Sequence, residues 1–115
     1  MKKSQLEKII QQYPQDYCLF LEAAYGKDMM SEGGTAAIDR MFNGEKINGT
    51  TMLEIGFGLG GAAFHLATHH QTTIHGIEVN PWLVDEAIKR TPKNLKQQVF
   101  FQLYNPDEPL AFPAN

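Results

Sequence analysis

Apolar positions along this chain follow two different rhythms, with the change at about residue 50. In the first part they recur at helical spacing. Leu6, Ile9, Ile10 and Tyr13 stand at i, i+3, i+4 and i+7, which predicts a short helix with one buried stripe. Ser4 followed by Glu7 has the spacing of a capping box, and Pro14 breaks the helix because it lacks a backbone donor. A second helix is predicted over 15–25, burying Tyr17, Phe20, Leu21 and Ala24, with Gly26 as its stop. A polar loop with the pair Gly33-Gly34 follows. Thr35 is the predicted cap of a third helix through Phe42, with Ala36, Ile38, Met41 and Phe42 as apolar positions. Asn43-Gly44 and Asn48-Gly49 are turn dipeptides.

After that point short apolar runs alternate with helical stretches. Residues 50–56 read as a strand running into glycines, 60–68 as a helix, and 72–79 as a second strand. Asn80-Pro81 opens another helix, with asparagine as cap and proline in the first turn. Trp82, Leu83, Val84, Ala87 and Ile88 supply its buried side, Thr91-Pro92 ends it, and 99–104 makes a third strand. Residues 105–115 hold three prolines and read as loop. Strand-helix-strand-helix-strand implies right-handed crossovers and a parallel sheet. The expected fold class is therefore α/β: a Rossmann-like half-sheet of three parallel strands with an N-terminal helical cap. Residues 1–115 form a single domain, with the cap at 1–49 and the βαβαβ unit at 50–115.

Composition narrows the partners. With 43% hydrophobic and 20% charged residues and a net charge of -3, this is an ordinary globular composition. The basic residues are scattered, without the dense stripe of a nucleic-acid binder. Lys89-Arg90 fits a favourable placement at a helix C-terminus. No apolar run reaches the length of a membrane span and no signal-peptide core follows Met1, so cytoplasm is the expected compartment. Cys18, the single cysteine, lies between Tyr17 and Leu19 and reads as an inert core thiol. His65 and His69 have i, i+4 ligand spacing, but no Cys, Asp or Glu lies close in sequence to complete a set. These two, with His70, read as a solvated helix end, and no metal is expected.

The chemistry concentrates in Leu53-Glu54-Ile55-Gly56-Phe57-Gly58-Leu59-Gly60-Gly61. Glycines at alternate positions between a strand and a helix let backbone approach a ligand and expose free helix amides. Glu78 ends the next strand, where a carboxylate can accept from both ribose hydroxyls of a bound nucleoside. Gly56, Gly58 and Gly61 also satisfy the dinucleotide pattern, so on glycines alone NAD or FAD stays open. Glu54 favours a cation instead, because a carboxylate beside a pyrophosphate would bring like charges together. A sulfonium carrying an amino-acid ammonium, as in S-adenosylmethionine, suits it.

These residues resemble motif I of class I methyltransferases, and Gly76-Ile77-Glu78-Val79-Asn80 resembles the family's acidic strand end. The loop from Tyr25 through Ser31-Glu32-Gly33-Gly34-Thr35 is similar to the segment before motif I in phosphoethanolamine and sarcosine/dimethylglycine methyltransferases. The resemblance implies methyl transfer to a small-molecule amine, with S-adenosylmethionine as cofactor. It places Glu54 and Gly56 at the methionine part, with Gly58 against its backbone and Gly60 in the same turn. Glu78 would hold the ribose, Val79 would meet the adenine, and Ser31 would reach the carboxylate end. It implies an active-site role for Tyr13, which as part of the first helix's stripe also reads as core. Asn105 and Asp107 are the candidates for the adenine amino group, with their register left open.

Leu110 to Asn115 resemble the phrase before the family's fourth strand. The expectation is thus a truncated methyltransferase domain lacking the acceptor pocket and general base. Its first strand would keep an open edge, closed in a homodimer by pairing or segment exchange. A non-catalytic cofactor-binding or dimerisation module and a NAD/FAD-binding half-domain are the alternatives.

Overall fold

Three parallel strands form the sheet in this computed structural model, which describes residues 3–109. Strand β2 (Thr73–Glu78) lies between β1 (Thr51–Ile55) and β3 (Val99–Leu103). The registers align Leu53, His75 and Phe100 in one row, and Glu54, Gly76 and Phe101 in the next. Successive residues point to opposite faces, so these two rows belong to different sides of the sheet.

The connections β1–α4–β2 and β2–α5–β3 run through α4 (Gly61–His70) and α5 (Pro81–Arg90). Right-handed crossovers advancing in one direction put both helices on the same face, and the packing agrees. Ala63, Phe64 and Ala67 of α4 cluster with Ile74 and Val99, while Val84 and Ala87 of α5 cluster with Phe57 and Phe101. Gly76 lies beneath the Phe57–Phe101 ring pair, whose centroids are 4.2 Å apart. A Cβ there would stand 2.7 Å from Phe57 and 2.8 Å from Phe101. The opposite face carries Leu53, Ile55 and Phe100, exposed at 44%, 72% and 43%.

The N-terminal part is helical, as expected, but its faces differ from the expected ones. Helix α1 (Lys3–Gln11) buries no residue, and Ser4 lies inside it instead of capping it. In α2 (Gln15–Tyr25) only Cys18 is buried, while Tyr17 and Phe20 are exposed at 44% and 66%. Helical spacing determines which residues share a face; it does not determine whether another element lies against that face. Burying a Leu or Ile is worth roughly 1.5–3 kcal/mol, so α1 draws little stability from packing. Gly26 does stop α2, at φ 111, with its amide returning to the Glu22 carbonyl at 2.8 Å. Helix α3 (Gly34–Met41) starts from Gly33 in the left-handed region, so Thr35 is not its cap. Ile38 is buried there, while Met41 is 73% exposed.

No helix among the described residues is long and apolar enough to cross a membrane. Residues 110–115, on which the resemblance to a fourth-strand phrase rests, lie outside those described.

Candidate functional site

The C-terminal ends of β1 and β2 open into a cavity of about 380 Å³. Its floor is the glycine turn. Gly56, Gly58 and Gly60 all have positive φ, at 75, 59 and 96 degrees, a region that side chains with a Cβ rarely enter. The turn is fastened to the sheet by the Gly56 amide, which donates to the Ile77 carbonyl at 2.8 Å. Gly60 is the left-handed cap of α4 and lies under Phe64 and Phe101. It does not line the cavity; its lack of a side chain serves packing.

Of the residues singled out in the sequence, Tyr13, Ser31, Glu54, Gly56, Gly58, Glu78 and Val79 line this one cavity. Tyr13 is 42% exposed, so the core reading of that side chain is not met. Its carbonyl accepts from Asn80 Nδ2 at 3.2 Å and from Cys18 Sγ at 3.5 Å, which holds the α1–α2 turn above the end of β2. Burial pushes the Cys18 thiol pKa up, in keeping with an unreactive thiol. Asn105 and Asp107 are not among the lining residues: the Asp107 amide donates to Asn105 Oδ1 at 3.0 Å in an exposed turn.

Two carboxylates dominate the cavity's chemistry. Glu78 is fixed by its own chain: Oε2 accepts from the amides of Val79 and Asn80 at 2.7 and 3.1 Å. Glu54 is different. Its Oε1 is shut away from solvent with no hydrogen-bond partner among the described atoms, and burial pushes its pKa from 4.5 to about 7. An orphaned carboxylate oxygen in a cavity wall costs free energy until a donor or cation reaches it.

The loop after α2 packs against the turn and supplies Asp28, Met29, Met30 and Ser31 to the cavity lining. Asp28 sits in the left-handed region at φ 64, and its carbonyl accepts from the Gly61 amide at 3.1 Å. Arg90, at the end of α5, anchors this loop. Its Nη1 donates to Glu22 and, at 3.0 Å, to Asp28 Oδ1, while its Nε donates to Glu86 at 3.3 Å. The bond from Arg90 holds the Glu22 carboxyl below its usual range. The expected simple helix-end role of Lys89-Arg90 is thus incomplete, because the guanidinium pairs with three carboxylates from two helices and a loop. The sequence reading also missed Met29, Met30 and Leu83 in the lining. Met30 Sδ lies 3.1 Å from where a Cβ on Gly58 would stand, and helical or loop spacing carries no signal of such a contact.

Parallel sheet, one-sided helices and glycine turn together are the Rossmann-like half-fold of S-adenosylmethionine-dependent methyltransferases. No protein-family model matches the chain, and no curated protein does. Among solved structures it is similar to Haemonchus contortus phosphoethanolamine N-methyltransferase 2. In complex with S-adenosyl-L-methionine, that enzyme matches with a TM-score of 0.70 at 26% identity, over 82% of this chain and 22% of its own. In complex with phosphomonomethylethanolamine and S-adenosylhomocysteine, it matches with a TM-score of 0.67 at 27% identity, over 78% and 21%. The YcgJ protein from Bacillus subtilis shares the fold, with a TM-score of 0.53 at 20% identity, over 69% and 33%. The chain thus spans about a fifth of the length of the Haemonchus enzyme.

Proposed function

We propose that the cavity binds S-adenosylmethionine and that the chain is the donor-binding part of a methyltransferase for a small-molecule amine. The observation that carries this reading is the orphaned Glu54 oxygen in a cavity shared with Glu78. A ligand with a cationic amino-acid end and a ribose end answers both carboxylates. A pyrophosphate in the same place would meet Glu54 as a like charge, which disfavours a dinucleotide.

When bound, this cofactor supplies an electrophilic methyl group on a sulfonium. The chain's own residues bind and orient. Glu54 compensates the cationic end, and Ser31 reaches the carboxylate end. Gly56 and Gly58 let backbone approach, and Glu78 accepts from the ribose hydroxyls with Val79 beside the base. Met29, Met30 and Tyr13 line the same cavity, where their bulk favours in-line positioning and excludes water. An amine acceptor, a cytoplasmic setting and closure of the β1 edge by a second copy belong to the same reading.

Titration calorimetry with S-adenosylhomocysteine tests it, with Glu78→Ala beside the unaltered chain. Saturable binding that weakens by about 10- to 100-fold in the variant is expected, the worth of one or two hydrogen bonds to a charged group. Preference for NAD over S-adenosylhomocysteine would overturn it. A second reading, a dimerising module without turnover, draws on the exposed Leu53 and Ile55 of β1. Retained cofactor affinity with no activity on any amine would favour that.

A further inference from the structure

Helices α3 and α4 meet outside the cavity lining, and three potential ligand atoms converge where they do. His65 Nε2 lies 2.7 Å from Asp39 Oδ1, and His70 Nε2 lies 3.1 Å from the same oxygen. All three atoms fall within 4.8 Å of one another. We propose that Asp39, His65 and His70 form a binding site for a divalent transition-metal ion of the zinc, cobalt or nickel type.

Four features of the cluster support this. Metal–ligand distances near 2.0–2.2 Å put neighbouring donors about 3.3 Å apart around a tetrahedral ion, and the two distances to Asp39, 2.7 and 3.1 Å, already lie close to that spacing. Two imidazoles and one carboxylate suit zinc and its neighbours, where calcium and magnesium take oxygen sets. The side chains are graded in exposure, His65 at 11%, His70 at 29% and Asp39 at 52%. The imidazoles are therefore held by packing while the carboxylate side stays open for water to complete the coordination. Finally, His70 is the last residue of α4, where the helix dipole favours positive charge.

The spacing in the sequence points elsewhere, to His65 and His69 at i, i+4. His69 is exposed, and its ring stands 4.7 Å from that of His65, centroid to centroid, without joining the cluster. Asp39, which completes the set, comes from another helix 26 residues upstream of His65. A bound ion would tie α3 to α4. Helix α4 begins at Gly61 in the cavity lining and α3 begins three residues after Ser31, so the clasp would steady the turn and the loop.

The test is titration of the untagged full chain with zinc chloride, and with cobalt(II) read by its visible ligand-field absorption. One ion per chain is expected, with a zinc-dependent rise in melting temperature. Asp39→Ala, His65→Gln and His70→Gln should each weaken binding by about tenfold or more and abolish that rise. His69→Gln should leave both unchanged. Far-UV circular dichroism identifies any variant that has lost its fold, and the remaining variants then carry the comparison. No binding to the unaltered chain would overturn the proposal. So would binding that survives loss of Asp39 but vanishes with His69, which would assign the ion to the i, i+4 pair.

Discussion

The Asp28 carbonyl takes the amide of Gly61 at 3.1 Å, joining the loop after α2 to the first residue of α4. The contact depends on a missing side chain: a Cβ on Gly61 would stand 2.6 Å from that carbonyl and 2.5 Å from Met29 Sδ. Gly61→Ala should therefore lower stability by about 2 kcal/mol through overpacking and weaken S-adenosylhomocysteine binding by displacing the loop. Urea denaturation and calorimetry read the two effects. Equal stability and equal affinity would show that the loop yields freely.

Glu54 gives the unliganded protein an unusual pH dependence. Its pKa is raised from 4.5 to about 7, so the folded state holds a proton that the unfolded chain has released. Stability from this group is complete below 4.5 and is lost as pH rises to about 7, by about 3 kcal/mol at most. Affinity for a cationic ligand runs the other way and strengthens as Glu54 ionises. Melting curves and calorimetry across this range check both slopes, and Glu54→Gln should flatten both.

Arg90 acts on the acid side with the opposite sign. Glu22 is held below its usual range, chiefly by the bond from Arg90. Stability from this group is present above the ordinary glutamate value and is lost as pH falls through the depressed one. Arg90→Ala leaves the half-buried Glu22 and Asp28 without their cation and should cost about 2 kcal/mol at neutral pH. Much of the acid sensitivity should disappear with it. Arg90→Lys cannot reproduce a fork that reaches three carboxylates, so partial rescue at most is expected.

Asn80 has two separable duties. Its Oδ1 caps α5 by accepting from the Trp82 amide at 3.1 Å, and its Nδ2 donates to the Tyr13 carbonyl at 3.2 Å. Asn80→Ala should cost about 1–2 kcal/mol, because a cap is lost and the Tyr13 carbonyl keeps only the weak Cys18 thiol as donor. Asn80→Ser keeps a capping oxygen without adding charge and loses the tie to Tyr13. Thermal unfolding should place it between Ala and the unaltered chain. If the two variants melt together, the Tyr13 tie dominates.

The sheet and its glycine turn were legible because their signals are local. Gly56, Gly58, Asn80-Pro81 and Glu78 each carry a short-range steric or capping requirement that spacing records. The N-terminal helices were legible as helices but not in their packing. Phe20 belongs to an apolar face and is still 66% exposed, since nothing in its own helix says where a neighbour will be. Asp39 beside His65 and His70, and Arg90 beside Glu22 and Asp28, join residues far apart in sequence. Their partners follow from the tertiary fold alone. Gly60 belongs to the same turn by spacing, and only the tertiary fold reveals that its missing side chain makes room for Phe64 and Phe101.

Strand β1 pairs with β2 alone among the described residues, and its last residue, Ile55, leads directly into Gly56. One edge of the peptide row that carries the ligand turn is therefore unzipped. Any chain that adds a strand along that edge would remove freedom from the same backbone that a ligand has to order. Strand partner and ligand are then linked in the thermodynamic sense: each tightens the other's binding by the same factor.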